Sequence, residues 1–460
     1  MKINHNMREL KMISAEQKIK KIAQSILAKN TSAITEYHAL SDDNRRKLLG
    51  ELNTGELRSL TRLIKKGKKN VFSAANKRFL QIAQGPIVTP VYLIDETLIE
   101  ENMRILRYVK DRTGCKILHA LKAYASFATF PLMSKYLDGV CASGLNEARL
   151  GSEEFRKEVH TFGAAYREKE VDRILKYSDI IIFNSFYQLQ KYGDLAKKKG
   201  VEIGLRVNPG HAEVTTEMYN PCAPCSRLGI VNDVFRKEFP KLKNMVNGLH
   251  FHAMCEQNSD VLERILKSFE NQYGQYINEF KWVNFGGGHH ITRDDYQLER
   301  LIKLINHFKK KYKVQVYLEP GEASVLNAGV MISSILDIVT NEMDIAIMDA
   351  SAETHMPDVL LMPYRPNILK AGQPNEKKYT YRLAGPSCLA GDIMGNYSFH
   401  KPLKRGEKLV FTDMALYSIV KSTTFNGINL PDIAVLRAAD NINVHIIKQF
   451  DYMDYKDRQS

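Results

Sequence analysis

The chain has 460 residues, of which 44% are hydrophobic and 26% are charged. This is the composition of an ordinary globular protein, and the length favours a sizeable core and more than one domain. No apolar run approaches the ~18 residues that would indicate a membrane span, and the N-terminus lacks a signal-peptide pattern, so we predict a cytoplasmic protein that does not bind membranes.

The net charge of +14 is concentrated near the N-terminus, since residues 1–85 contain 18 Lys and Arg against 7 Asp and Glu. Ile19, Ile22 and Ile26 recur there at helical spacing, so we predict a basic helical extension in which the lysine-rich run 65–69 breaks the pattern. A solvated appendage, or an upstream extension of the core protein, is the favoured interpretation. Contact with nucleic acid or an acidic partner is the alternative, but no base-reading motif accompanies the charge.

From residue 86 onwards, strand-like and helix-like blocks alternate. Eight short apolar runs end near Lys122, Ser143, Ala164, Ser185, Asn208, His252, Gly287 and Glu319. Eight β-α units predict a closed (β/α)8 barrel over residues 86–325, with a doubly wound open sheet as the alternative. The runs in residues 326–460 are β-rich, which predicts a C-terminal all-β domain, and Val91–Asp95 is predicted to join it as one strand more than the barrel requires.

Reactive and polar residues collect where a barrel has its active site, at the C-terminal ends of the strands. A lysine, a glycine triplet, an acid and a thiol follow one another along the chain, at Lys122, Gly286, Gly287, Gly288, Glu319 and Cys388. An amine that binds an aldehyde, a phosphate cradle, a carboxylate for a pyridine nitrogen and a proton donor are the parts of a pyridoxal-phosphate enzyme. Cys222 and Cys225 have C-x-x-C spacing, but no second pair completes a zinc site, and we predict no metal.

Five motifs in this order carry a resemblance to a known family. They are His119–Lys122, Asn284–His290, Glu319–Glu322, His355–Asp358 and Gly385–Asp392. Together they resemble the fold III pyridoxal-phosphate decarboxylases of basic amino acids, which include ornithine and diaminopimelate decarboxylases, over residues 86 to about 445. The branch acting on carboxynorspermidine and carboxyspermidine is the most similar. The resemblance implies a homodimer with shared active sites and a role in polyamine and spermidine biosynthesis.

The resemblance also implies roles for individual residues. Lys122 would bind the cofactor aldehyde covalently, and a strand-end lysine that is partly desolvated has the lowered pKa that a nucleophile needs. Glu319 would pair with the pyridine nitrogen and His252 would stack on the ring. The phosphate would be held by the glycine triplet and Tyr417.

Other residues are assigned to the substrate by the same resemblance. Cys388 would return a proton to the α-carbon and Asp392 would bind the substrate's amine, both reaching the site from the partner subunit. Glu322 stands where diaminopimelate and ornithine relatives usually have arginine, which favours a cationic polyamine tail. Glu256 and Asp349 are further acidic candidates for that tail.

Three alternatives stay open from the sequence. One is decarboxylation of diaminopimelate or ornithine. Another is an amino-acid racemase, which would need a tyrosine acid in the β-domain. The third is a non-catalytic regulatory homologue, which should have lost Lys122 or the phosphate residues. Carboxynorspermidine and carboxyspermidine differ by one methylene, worth about 1–3 kcal/mol in binding, so the sequence does not choose between them.

Overall fold

The structure, a computed structural model, describes residues 14–28, 30, 32–438 and 440–460. Within the described residues, four helices precede the first strand: α1 (Ala15–Leu27), α2 (Ser32–His38), α3 (Asp42–Glu51) and α4 (Thr54–Gln84). Asn53 begins α4 with a capping box, in which its side chain accepts from Glu56 N and the Glu56 carboxylate accepts from Asn53 N. The helix continues through residues 65–69, so the predicted break there is wrong, because lysine is a good helix former.

The N-terminal helices are part of the protein core. The helix-face residues Ile19, Ile22 and Ile26 are each at most 2% exposed and belong to the same apolar cluster as the outer layer of the barrel. The Arg45 side chain is 2% exposed, and its Nε donates to Asp111 Oδ2 at 2.7 Å. The prediction of helices is confirmed for the described residues, and their burial fits the predicted upstream extension of the core protein and not the solvated appendage.

Eight parallel strands form the barrel after β1 (Val91–Asp95) and α5 (Glu96–Thr113). They are β2 (Lys116–Ala120), β3 (Gly139–Ala142), β4 (Glu158–Phe162), β5 (Ile180–Phe183), β6 (Glu202–Arg206), β7 (Gly248–His250), β8 (Trp282–Asn284) and β9 (Gln315–Leu318). The helices that follow them are α6 (Phe130–Met133), α7 (Leu145–Leu150), α8 (Glu168–Lys176), α9 (Phe186–Lys198), α10 (Asn232–Leu242), α11 (Ser259–Tyr273), α12 (Leu298–Tyr312) and α13 (Glu322–Val325). Pairing of β2 with β9 closes the barrel, which confirms the predicted barrel and excludes the open sheet.

The barrel interior is filled below the strand ends. Trp282 packs there with Leu118, Ile182 and Tyr317. A Cβ on Gly248 would lie 2.1 Å from the Trp282 ring, so the indole needs a strand neighbour without a side chain. This packing gives the cavity at the C-terminal end of the barrel a closed floor.

A second, mostly antiparallel sheet follows the barrel in the chain. Its strands are β10 (Gly329–Asn341), β11 (Met343–Met348), β12 (Tyr379–Ala384), β13 (Ile393–Phe399), β14 (Lys408–Thr412), β15 (Asp432–Leu436) and β16 (Val444–Lys448). The short helices α14 (Ala352–His355), α15 (Asp358–Leu361), α16 (Ser418–Lys421) and α17 (Tyr452–Lys456) connect or follow them. The strand order is β13-β12-β11-β10-β1-β15-β16, with β14 also paired to β10.

Strand β1 is an internal strand of this second sheet. It pairs antiparallel with β10, for example Val91 with Ile332, and parallel with β15, for example Val91 with Asp432. The predicted boundaries near residues 85 and 325 stay a prediction. None of the helices in the described part of the chain combines the length and hydropathy needed to span a bilayer.

Candidate active site

A cavity of about 430 Å³ opens at the C-terminal end of the barrel. Its lining includes seven of the predicted site residues: Lys122, His252, Gly287, Gly288, Glu319, Glu322 and Tyr417. These residues come from the ends of β2, β7, β8 and β9 and from the second sheet, which is why they are far apart in sequence. The volume lies within the ~300–1,000 Å³ typical of cofactor and small-molecule sites.

Lys122 follows β2 by two residues and is exposed, whereas its neighbours Leu121 and Ala123 are buried. The partial desolvation expected for this amine is therefore absent from the structure. Its neighbours fix the position of the backbone instead, because Leu121 N donates to Cys141 O at 3.1 Å and Tyr417 N donates to Ala123 O at 2.8 Å. The amine is thus presented to the cavity from a rigid segment.

Glu319 is a buried carboxylate at the end of β9, with 7% of its surface exposed. Asn284 Nδ2 donates to its Oε1 at 2.7 Å, and His250 Nε2 lies 3.1 Å from its Oε2. Burial raises the pKa of Glu319, but the charges of His250 and His160 and the hydrogen bonds from His250 and Asn284 outweigh it and lower the pKa to about 2. The side chain is therefore an ionised acid at neutral pH.

His252 is held in one orientation by the glycine triplet. Gly287 N donates to His252 Nδ1 at 2.8 Å, so Nδ1 is an acceptor. Burial and the nearby cations Lys122 and Arg206 lower the pKa of His252 well below its usual value, which keeps the ring neutral. A neutral ring of this kind presents a flat apolar face to the cavity.

The glycine triplet has less free hydrogen-bonding capacity than predicted. Gly286 N donates to Asn284 Oδ1 at 2.8 Å and Gly287 N donates to His252, so these two groups are used within the protein. Gly288 lines the cavity with φ +79°, and a Cβ there would lie 2.0 Å from Met254 O. The glycines are thus required by close backbone packing, and Gly288 is the member best placed for an anion.

Glu322 forms a second acidic centre, at the start of α13. It is 9% exposed and lies beside Glu256. Burial, the negative charge of Glu256, a hydrogen bond to Glu256 and the charge of Asp413 together raise the pKa of Glu322 well above its usual value. Glu256 itself is exposed and has a left-handed φ of +52°. The pair therefore tends to share a proton until a cation approaches.

Three predicted residues lie away from this cavity. Asp392 is 2% exposed, and its carboxylate accepts from Ser351 Oγ at 2.8 Å and Ala352 N at 2.7 Å. Asp349 accepts from Thr89 Oγ1 at 2.5 Å and Ser333 Oγ at 2.7 Å. These oxygens accept hydrogen bonds within the second sheet of their own chain, so the predicted contacts of Asp349 and Asp392 with substrate stay predictions.

Cys388 is the third of these residues. It is exposed, and its backbone N donates to Asn426 Oδ1 at 2.8 Å. All six cysteines are free, and among the described residues no group of three or more His, Cys, Asp or Glu side chains could hold a metal ion. The thiol is thus available on the surface of the second sheet, outside the cavity of its own chain.

The sequence did not identify two residues that shape the site. Arg206, the last residue of β6, is 5% exposed, lines the cavity, and has its guanidinium 4.5 Å from the Phe162 ring centroid. Burial lowers its pKa to about 10. His250 contacts Glu319 directly. For both Arg206 and His250, the signal in the sequence was a charged or titratable residue within a predicted strand that is otherwise apolar.

These features fit pyridoxal phosphate. An exposed amine, a buried ionised carboxylate and a neutral imidazole face one cavity, and Tyr417 and Gly288 lie at its margin. The residues could bind an aldehyde, a protonated ring nitrogen, a ring face and a phosphate, respectively. The donor set is therefore the one that this cofactor requires.

Comparisons with known proteins agree with the geometry. The family model for pyridoxal-dependent decarboxylases, described by its C-terminal sheet domain, matches residues 42–415. The chain is 43% identical over 381 residues to carboxynorspermidine/carboxyspermidine decarboxylase of Campylobacter jejuni, covering 80% of this chain and 98% of that protein. It is 37% identical over 372 residues to carboxyaminopropylagmatine decarboxylase of a Synechocystis species, covering 80% and 95%.

A solved structure is similar along the same region. The crystal structure of Campylobacter jejuni carboxynorspermidine decarboxylase complexed with norspermidine has a TM-score of 0.75 and 42% identity, and the match covers 81% of this chain and all of that one (100%). The family model, the identity and the shared barrel-and-sheet fold agree, and they confirm the cofactor class predicted from the sequence. The chain belongs to the family of pyridoxal-dependent decarboxylases.

Proposed function

We propose that this protein decarboxylates carboxynorspermidine and carboxyspermidine to norspermidine and spermidine, as a step in polyamine biosynthesis. The observation that carries the proposal is the pair Glu322 and Glu256 beside the cavity, because a buried acid of raised pKa next to a second acid suits a substrate with a distal ammonium group. The names of the relatives above support the same substrate class. The distal end of diaminopimelate carries a carboxylate beside its ammonium group, and the acid pair would repel that carboxylate.

The cofactor end of the cavity is assigned as follows. When bound, pyridoxal phosphate supplies an electron sink for the electron pair that remains as carbon dioxide departs. Lys122 would hold the cofactor through its amine, and the negative charge of Glu319 would keep a proton on the pyridine nitrogen. His252 would lie against the ring and exclude water from it. Gly288 and Tyr417 would bind the phosphate.

The other end of the cavity binds the substrate. Glu322 binds the polyamine tail, with Glu256 as its partner. A contact so far from the reacting carbon strengthens binding of the ground state and of the transition state alike, and so lowers KM. Asp349 and Asp392 are left out of this assignment, since their carboxylates are engaged within the second sheet.

The proton donor comes from a second copy of the chain. We infer a homodimer in which Cys388 of the partner subunit reaches the cavity and protonates the α-carbon. Exposed apolar side chains lie on the second sheet with this thiol, including Leu389 (42% exposed) and Phe425 (43% exposed). A thiol is one of the side chains that can donate a proton in general acid catalysis. The six free thiols also suit the cytoplasm, where we propose the enzyme acts.

The direct test is carbon dioxide release by the purified holoenzyme on a panel of substrates. The panel contains carboxynorspermidine, carboxyspermidine, carboxyaminopropylagmatine, diaminopimelate, ornithine and lysine. We expect the highest kcat/KM for the two carboxypolyamines. Turnover restricted to diaminopimelate or ornithine would refute the proposal. The Lys122→Ala variant should lose both turnover and the visible absorbance of the bound cofactor, which checks the cofactor assignment separately.

A further inference from the structure

Helix α4 contacts the segment that follows the glycine triplet. Lys65 Nζ donates to Asp294 O at 2.9 Å and to Tyr296 O at 2.6 Å, and Lys68 Nζ donates to Thr292 O. We call residues 290–296 the clamp loop. Two lysines of the N-terminal helices thus bind three backbone carbonyls of one loop. A lysine ammonium has three N–H donors, so contacts of this kind with backbone carbonyls can hold a loop in place.

Lys68 is an unusual lysine. It is 3% exposed, and no carboxylate of the described residues lies within 4.0 Å of its Nζ. Burial lowers its pKa to about 8. A buried ammonium without a carboxylate in contact depends on its remaining partners, which here are Thr292 O and the Phe72 ring, 4.8 Å from Nζ to the centroid. The hydrogen bond to Thr292 O connects Lys68 to the clamp loop.

The clamp loop in turn holds both members of the acid pair. Arg293 Nη1 donates to Glu256 O at 3.0 Å. Thr292 Oγ1 donates to Ala323 O at 2.7 Å, one residue after Glu322 in α13. Glu256 has a left-handed backbone, which a residue with a side chain keeps only when its surroundings hold it there. The loop therefore connects α4 to the backbone of Glu256 and to that of the α13 turn.

We propose that Lys68, assisted by Lys65, is a positioning residue that fixes the separation of Glu256 and Glu322, so that the N-terminal helices set the affinity of the site for the substrate's distal ammonium. This inference rests on the proposed function, because the acid pair binds the tail there. It adds a role for residues 54–84, which carry none of the cofactor-binding groups. Lys68 acts through the loop and contacts neither substrate nor cofactor.

The test compares three variants of the full-length holoenzyme: Lys68→Met, Lys65→Met and Lys68→Arg. Methionine keeps most of the side-chain length and removes the charge and its donors. We expect Lys68→Met to raise KM for carboxynorspermidine about tenfold with kcat within about twofold, since tail binding is weakened equally in the ground state and the transition state. Lys65→Met should also raise KM at nearly unchanged kcat, but by a smaller factor. Lys68→Arg should restore KM to within about threefold of the parent, because it keeps a donor to Thr292 O.

The matched control is Lys69→Met, which changes an exposed lysine one residue further along α4 and should leave KM unchanged. Calorimetric binding of norspermidine provides a readout that does not depend on turnover, and its Kd should rise together with KM. The absorbance of the bound cofactor should be the same in all variants, which separates positioning from a general loss of structure. If Lys68→Met does not fold, KM and the norspermidine Kd are compared between Lys65→Met, Lys68→Arg and the parent.

The possible failures are distinct. A parent enzyme that releases no carbon dioxide from either carboxypolyamine would refute the proposed function. An active parent whose KM and norspermidine Kd are unchanged in Lys68→Met and Lys65→Met would overturn only this inference. A parallel fall of kcat and cofactor absorbance in Lys68→Met would overturn it as well, because that pattern indicates a structural role for the lysine.

Discussion

The two ends of the cavity contain glutamates three residues apart that behave in opposite ways. Glu319 and Glu322 are 7% and 9% exposed, respectively. The pKa of Glu319 is lowered to about 2, although its burial raises it, because His250 and Asn284 surround it. The pKa of Glu322 is raised by burial and by Glu256. Because both glutamates are buried, their neighbouring groups decide the charge of each one. Glu319 is a permanent anion for the cofactor, whereas Glu322 becomes anionic when a cation binds.

The most damaging change should be the loss of the permanent anion. We expect Glu319→Gln to lower kcat about a hundredfold or more, because a neutral amide does not keep a proton on the pyridine nitrogen and the electron sink is weakened. Steady-state carbon dioxide release on carboxynorspermidine measures this. Glu342→Gln, which changes an exposed acid between β10 and β11, is the control. A kcat within a few-fold of the parent would show that Glu319 does not have this role.

The same substitution at the other end should affect binding instead of chemistry. We expect Glu322→Gln to raise KM for carboxynorspermidine between about 10- and 100-fold, with kcat nearly unchanged, because a charge-assisted contact to the tail is lost. Measuring kcat and KM for Glu319→Gln and Glu322→Gln in parallel shows whether one variant loses kcat and the other raises KM. Equal losses of kcat in Glu319→Gln and Glu322→Gln would remove the distinction between the two ends.

The low pKa of Glu319 can be tested through His250. In His250→Leu the pKa of Glu319 should rise, because burial stays while the charge and the hydrogen bond are lost. A carboxylate is ionised above its pKa, so the acidic limb of the kcat profile should move to higher pH, with activity lost progressively as the pH falls. In His250→Gln the shift should be smaller, since an amide still donates to Glu319. An unchanged profile in His250→Leu would mean that other groups hold the charge.

The smallest expected effect is the release of protons when norspermidine binds. The raised pKa of Glu322, which faces Glu256, Asp413, Lys122 and Cys255, means that the empty site holds a proton that a bound ammonium displaces. Norspermidine binding should therefore release up to about one proton and tighten as the pH rises through that pKa. Calorimetry in two buffers of different ionisation enthalpy counts the protons. Proton uptake, or none in both the parent and Glu322→Gln, would contradict this account.

The sequence predicted the cavity residues that follow strands directly. Lys122, His252, the glycines and Glu319 lie within four residues of a strand end, and parallel strands bring those ends to one edge. The substrate contacts predicted for Asp349 and Asp392 stay predictions: in their own chain both carboxylates accept hydrogen bonds within the second sheet, and the sequence does not tell which acids are used in this way. Arg206 and His250 were missed because their function depends on facing Glu319 across the barrel, a relation between strands that periodicity does not encode.

The N-terminal helices show the same limit. Their apolar spacing predicted helices, but the charge pattern at residues 65–69 was interpreted as a break and as contact with water. The structure instead uses Lys65 and Lys68 as donors to a loop more than 220 residues away, with separations of 229 and 224 positions for Asp294 and Thr292. A single sequence does not distinguish a solvated lysine from a buried one. A buried lysine can donate to a backbone carbonyl, and because every residue type has one, no particular residue marks the partner.

Because β1 lies between β10 and β15, the second sheet is assembled from two distant parts of the chain, with the whole barrel inserted between them. A fragment starting at residue 326 would lack an internal strand, and a fragment ending at residue 325 would carry that strand with its hydrogen-bonding edges unmatched. Neither half is then a natural module for excision or transfer. During synthesis on the ribosome, β1 emerges long before its partners and waits for them, so completion of the sheet is coupled to the arrival of the last hundred or so residues.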